Sequence, residues 1–360
     1  MSAQTEFLKR VLEPPFYGWE NSSRELIKPT HAQLWKQFRE RMNPFADRRN
    51  WLSCFSWFAA ATLSIPFMVF VSFHFSFWGV AAGFVYSMVL MGTHGTIYLH
   101  RYGSHRAYRF THPFWLWIAR NLVIKIIPEE IYVVSHLVHH RYSEQPGDPY
   151  NVHGGALYCF LADANHQLIS RSLSEADYDR VVKTVAHMGL RPNSYAQYQR
   201  WGSIAHPART IAHFMANWGF WYGAFYWIGG HALATAIFGG AAFWAFGVRT
   251  YNYDGHGRGR DQRVDGVDFH RGDLSVNQIW PGYVSGEWHN NHHLLPNSAR
   301  SGFLPYQLDL AWEVIRLWER LGMASNVRDD KPRFEEFLRK LQETKSEPIE
   351  DSAGAVIANS

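Results

Sequence analysis

Twenty histidines stand in this chain of 360 residues, and eight of them fall into three tight clusters. His100 and His105 lie in HRYGSHR, His136, His139 and His140 in HLVHH, and His289, His292 and His293 in HNNHH. On a helix, positions i, i+3 and i+4 share a face, so each HxxHH turns three imidazoles toward one place. His100 and His105 are about 140° apart on an ideal helix, so they serve different metals or straddle a helix end. His256, in NYDGHG, is a ninth candidate. Neutral imidazole suits Zn, Cu, Fe and Ni. Eight or nine imidazoles with no thiolate nearby exceed one tetrahedral zinc site and fit two metals with open positions, for which two irons are the economical choice. Carboxylates and amides would fix the imidazole tautomers, and Asp254, Glu287, Glu144, Asp148, Asn252, Asn290 and Asn291 are near enough in sequence. The other eleven histidines, His94 and His213 among them, lack this spacing and read as ordinary surface or core residues.

The elements that must position these side chains are marked by missing charge. No Asp, Glu, Lys or Arg occurs in the fifty residues from Trp51 to His100, nor in the thirty-nine from Thr210 to Val248. A hydrocarbon core about 30 Å thick needs about 20 apolar residues per helix, so each gap is two crossings and a tight turn. The expected spans are Trp51 to Phe73 and Phe75 to Met91, turning near His74, then Ile211 to Ile228 and Ala232 to Phe246, turning at Gly229-Gly230-His231. The hairpin turns hold no Lys or Arg, whereas the first fifty residues hold nine, and Arg101, Arg106, Arg109, Arg249, Arg258, Arg260 and Arg263 follow spans two and four. By the positive-inside rule both termini and every histidine cluster are cytoplasmic. The polar N-terminus has no cleaved-signal pattern, so the first span is its own insertion signal, and the expected place is a bacterial inner membrane.

The expected organisation is a cytoplasmic N-terminal segment (1–50), hairpin 1 (51–93), a cap with the first two clusters (94–206), hairpin 2 (207–249), a cap with His256 and the third cluster (250–344) and a disordered tail (345–360). Phe114 to Ile127 is apolar but interrupted by Arg120 and Lys125, which suits a helix at the membrane interface or a buried segment. Arg333 to Thr344 reads as an amphipathic helix. Composition excludes other classes. Aromatics at 16 % rule out disorder, Cys54 and Cys159 cannot form a disulfide framework, and a net charge of +4 with no basic block argues against nucleic acid.

Two hydrophobic hairpins with HxxxxH and HxxHH between them, then Asn-x-x-x-His and a last HxxHH, resemble the membrane fatty acid desaturases of the stearoyl-CoA type. HRYGSHR is similar to the family's HRxxSHR box, HLVHHRYSEQPGDPYN to its second box, NYDGH to its Asn-x-x-x-His and HNNHH to its third box. The resemblance implies an all-α integral membrane protein: four transmembrane helices in two hairpins under a cytoplasmic helical cap holding a dimetal centre. It implies nine ligands, His100, His105, His136, His139, His140, His256, His289, His292 and His293, with Asn252 holding a metal-bound water. It further implies two Fe ions, O2 as co-substrate, a fatty acid or fatty acyl thioester in a tunnel between cap and membrane, and electrons from a ferredoxin, rubredoxin or cytochrome-type carrier with its reductase.

The chain departs from that pattern in two places. Val134, Ser135 and Leu137 stand where the family has Arg-Asp and Arg near a CoA head group, and Ser285-Gly286-Glu287-Trp288-His289 moves a carboxylate one residue closer to the histidine. Loss of the CoA-facing charges gives weight to an alternative, oxidative decarboxylation of a free fatty acid to a terminal 1-alkene; hydroxylation is a third outcome on one scaffold. Val80, Ala81, Gly83, Ser87 and Gly92 either line the acyl tunnel or pack helices. Lys125, Arg249 and Arg258 either hold a substrate head group or only set topology. A zinc transporter would want ionisable groups at mid-membrane, where the gaps offer only His213.

Overall fold

The computed structural model describes residues 7–161, 168–259 and 286–346. His166, Arg260, Arg263, His270, Ser285 and the tail from residue 347 onward lie outside the described residues. Thr30 caps α1 (His31–Arg41) with a capping box closed by Gln33. The first apolar gap forms α2 (Trp51–Val69), prolonged by a wider turn at Phe70–His74, and α3 (Phe77–Leu90). Phe75 and Ser76 break the helix between them, and the Ser76 hydroxyl accepts from the Gly79 N–H to start α3. Beyond Leu90 the helix runs on through Met91–Ser104 with i→i+5 bonding, so it passes the expected end at Met91 and carries His100. No proline lies there, and no charge before Arg101.

The cap continues with α4 (Pro113–Asn121), α5 (Glu129–Tyr142), α6 (Ala156–Leu161), α7 (Glu175–Val185) and α8 (Tyr195–Trp201). The second gap lies in α9 (Pro207–Gly247), followed by α10 (Tyr251–Gly255), α11 (His289–Leu294), α12 (Leu310–Arg320) and α13 (Lys331–Ser346). The described strands are two residues each, Arg109–Phe110 antiparallel to Ala324–Ser325.

Three helical stretches, Arg48–His74, Phe77–Ser104 and Pro207–Gly255, are long and apolar enough to cross a membrane. The third is bent back on itself. Gly229 (φ −145°, ψ 22°) and Gly230 (φ 65°, ψ −165°) are non-helical, the latter in the left-handed half of the map that glycine tolerates. The Tyr222 ring lies 5.3 Å from Phe238, whereas sixteen residues of straight helix would separate them by about 24 Å. The rings of His74 and His231 stack at 6.5 Å, so both hairpin turns are at one end.

The two halves of α9 pack against α2 and α3 through small residues. A Cβ on Gly240 would lie 2.1 Å from the Gly83 carbonyl oxygen, so these backbones touch. Gly83 thus serves packing, while Gly92 has open space around it. Large side chains such as Phe73, Phe77, Trp78, Phe220, Trp227 and Phe243 point outward from the hairpins, an apolar belt that suits lipid rather than water.

The expected interfacial segment divides in two. Phe114 and Trp117 on α4 are exposed, while Val123 to Ile127 are buried in a non-helical return. That return is tied to α9 by the Trp218 Nε1–H donating to the Lys125 carbonyl (2.8 Å) and the Trp221 Nε1–H to that of Asn121 (3.1 Å).

Candidate metal centre

α5 carries HLVHH and α11 carries HNNHH; with the end of the α3 extension and the residue after α10 they gather all nine histidines. They divide into two groups. His100, His105, His136, His140 and His292 form one, and His139, His256, His289 and His293 the other, each with its donor nitrogens within 4.8 Å of one another. All nine are buried except His140 and His293, which are half-buried.

Each HxxHH therefore feeds both groups rather than one place. At about 100° per residue, i and i+4 diverge by about 40° while i+3 lies about 60° to the other side. So α5 sends His136 and His140 one way and His139 the other, and α11 sends His289 and His293 one way and His292 the other. His100 and His105 share a group because the His105 N–H closes an i→i+5 bond to the His100 carbonyl (3.1 Å) where the helix ends. The wider winding brings two residues five apart much closer to one face than an ideal α-helix would.

In the first group the Nε2 atoms of His100 and His292 are 2.9 Å apart, those of His136 and His105 3.1 Å, and those of His140 and His136 2.9 Å. In the second, His289 to His256 is 2.9 Å, His256 to His139 3.2 Å and His293 to His289 3.1 Å. Nitrogens bound to one ion at about 2.0–2.1 Å stand about 2.9 Å apart at right angles and about 3.3 Å apart at the tetrahedral angle. The donor sets fit a metal ion in each group. Burial, and then the neighbouring imidazoles, push His105, His136, His139 and His292 well below the ordinary histidine range, which leaves neutral rings with lone pairs to donate.

The Nδ1 sides are held from outside. His139 Nδ1 donates to Asp148 Oδ1 (2.9 Å), His256 Nδ1 to Glu144 Oε1 (2.7 Å), and His136 Nδ1 meets the Tyr150 hydroxyl (3.1 Å). Such bonds leave Nε2 as the lone-pair nitrogen. Glu144 has a left-handed backbone (φ 60°), and its N–H donates to Asp148 Oδ2 at 2.9 Å, so the two carboxylates are set as a pair. Glu287 flanks the five-histidine group, 3.5 Å from His100 Nδ1 and 3.4 Å from His292 Nδ1. Burial alone would raise its carboxyl, but His100 and Arg101 beside it hold it below the ordinary range.

Of the other sequence candidates, Asp254 pairs with Arg258 (2.9 Å) instead of an imidazole. Asn291 donates to the Ser301 carbonyl (2.8 Å) and to Gln307 (2.9 Å), which anchors α11. Asn252 and Tyr150 line the cavity beside the centre. Sequence reasoning missed Tyr150 and the role of Arg101. The buried Arg101 guanidinium donates to the carbonyls of Gly286 (2.6 Å) and Ala299 (2.5 Å), to Ser301 Oγ (2.9 Å) and to Asp309 (2.9 Å). It ties the first histidine cluster to the third. The available signal was an arginine directly after a ligand candidate and a charge-free helix.

A cavity of about 70 Å3 adjoins the centre, touched by His100, His136, His289, Asn252, Tyr132 and Arg249. Its volume matches about two water molecules. A separate apolar cavity of about 360 Å3, lined by Val80, Gly83 and Ser87 with Phe67 and Phe243, lies along the hairpins toward the turns.

Apolar hairpins with a buried nine-imidazole cluster at one end define a histidine-rich membrane protein built to hold metal. The fatty acid desaturase model matches residues 76–324, and the chain belongs to that family, which makes it an oxidoreductase. It is similar to an sn-1 stearoyl-lipid 9-desaturase of Anabaena variabilis, at 28% identity with 72% of this chain and 87% of the relative covered. A Delta-9 desaturase-like 2 protein of Arabidopsis thaliana is 28% identical, with 65% and 71% covered. A palmitoyl-monogalactosyldiacylglycerol delta-7 desaturase of the same plant is 26% identical, with 78% and 70% covered.

Proposed function

We propose that this enzyme desaturates a fatty acyl chain with two iron ions, O2 and two electrons from a soluble or membrane carrier. The observation that carries the reading is the division of nine imidazoles into sets of five and four, in a chain of this family. His100, His105, His136, His140 and His292 would hold one ion; His139, His256, His289 and His293 the other. Bound there, two irons would supply activation of O2 and removal of hydrogen from an unactivated carbon. The chain's own part is position and exclusion of water. Asp148, Glu144, Tyr150 and Glu287 keep the rings aimed, Asn252 is poised at the cavity for a water on the metal, and Tyr132, Ile127 and Val248 wall off bulk solvent.

The four spans, with both turns on one side and the histidines with both termini on the cytoplasmic side, belong to the same proposal. Support comes from the fold-back at Gly229-Gly230 and the charge bias of the loops. A lipid-linked acyl chain is the substrate form this reading favours, with support from relatives whose names include lipid-linked substrates and from the absent CoA-facing charges at Val134, Ser135 and Leu137.

A second reading, decarboxylation of a free fatty acid to a 1-alkene, is favoured by one observation. Arg249 is buried beside the centre, its guanidinium 3.9 Å above the Trp57 ring and 3.3 Å from Ser56 Oγ, and it lines the cavity that His100, His136 and His289 touch. A cation there would hold a carboxylate near the reacting atoms. Mass spectrometry of lipids and headspace from a host expressing the wild type or His292→Ala tests both. New internal double bonds absent from the variant support desaturation, a volatile 1-alkene supports the second reading, and no new product overturns both.

A further inference from the structure

A pocket of about 220 Å3, lined by none of the nine histidines, lies between the end of α4, the start of α5, residues 189–191 and the first turns of α9. Its walls carry four cations, Arg120, Lys125, Arg191 and Arg209, against two carboxylates, Glu129 and Glu130. Glu129 is already saturated. Arg120 Nε reaches both its oxygens (3.0 and 2.9 Å), and the buried Lys125 ammonium lies against Oε1. Among the described residues Arg209 donates to neutral oxygens, the Arg191 carbonyl (3.1 Å) and Asn193 Oδ1 (3.2 Å), and neither Arg209 nor Arg191 has a carboxylate partner there. Two forks thus face the pocket uncompensated, above an internally neutralised floor, with Thr210 and the first N–H groups of α9 beside them.

The elements that form the pocket identify the source of a ligand. Phe114, Trp117 and Leu122, on or just after the helix that carries Arg120, are exposed, as are Ile211 and Met215, one and two turns into the apolar α9 that carries Arg209. A basic pocket built between elements that expose apolar side chains suits the headgroup layer of a bilayer. We propose that this pocket seats the phosphate of an anionic phospholipid, gripped by Arg191 and Arg209, as a site separate from the metal centre. The excess of positive charge selects a glycerol or unsubstituted headgroup over choline.

Native mass spectrometry of the full chain, released from bilayers of equal parts phosphatidylglycerol and phosphatidylcholine, tests this. The wild type and Arg200→Ala, which removes a basic residue outside the pocket, should retain one phosphatidylglycerol per chain. Arg191→Ala/Arg209→Ala should lose it by about tenfold at unchanged metal content and melting temperature. Arg191→Gln/Arg209→Gln should do the same if the alanine pair folds poorly. Equal retention of the two lipids, or equal retention by wild type and variants, overturns the proposal. Displacement of the lipid by excess inorganic phosphate also overturns it, since the pocket would then be a free-phosphate site.

Discussion

At the scale of single residues, eight of the clustered histidines were legible from spacing and His256 from the resemblance, but their partition was not. The i+3 and i+4 imidazoles of one helix diverge by about 100°, and only a second helix carrying the same motif shows which ring goes to which ion. Glu144, Asp148 and Glu287 could be named from proximity, whereas Tyr150 and Arg101 act through contacts that proximity does not reveal. Asp148→Ala and Glu144→Ala free an Nδ1 each, and metal affinity measured by chelator competition should fall by about 10- to 100-fold. Arg101→Ala leaves Asp309 and Glu287 buried without their cation, at a cost of about 3–5 kcal/mol in denaturant unfolding. Acid acts through the rings themselves. His105, His136, His139 and His292 bind protons more weakly folded than unfolded, so their stability contribution is complete above the unfolded value of about 6.5 and is lost as pH falls below it. The metal-free protein should melt lower at about pH 5 than at pH 7, and an unchanged melting temperature contradicts that burial.

At the scale of elements, the charge gaps located both hairpins and their turns, because lipid tolerates no unpaired charge over such lengths. The gaps could not show that the second span runs through to Ser104, since a change from i→i+4 to i→i+5 bonding has no sequence period of its own. Nor could they assign the small residues. Gly240 touches the Gly83 backbone, so Gly240→Val should lower the melting temperature by overpacking of about 1–3 kcal/mol, while Gly92→Ala, in open space, should leave it within about 0.5 kcal/mol. The same distinction separates the halves of the segment from Phe114 to Ile127. Phe114 and Trp117 on α4 are exposed and Val123 to Ile127 beyond it are buried, and both halves are apolar with one basic residue each. Glu129→Gln leaves the buried Lys125 and Arg120 uncompensated and should cost about 3–5 kcal/mol, read by thermal unfolding.

At the scale of the whole molecule, two apolar hairpins point their turns one way and their polar continuations the other, and the continuations converge on one buried imidazole cluster. Reporter fusions check the orientation: a fusion at Gly230 should report the side opposite to fusions at either terminus, and agreement among all three contradicts the arrangement. The chain joins distant parts of its sequence at the centre, which is why removing any one histidine should disturb metal held by the other clusters. Elemental analysis of the purified full chain, beside His292→Ala, tests the central claim most directly. The account predicts two irons per chain in the wild type and fewer than two in the variant; one metal ion per chain, two ions of zinc, or an unchanged iron content in the variant would contradict it.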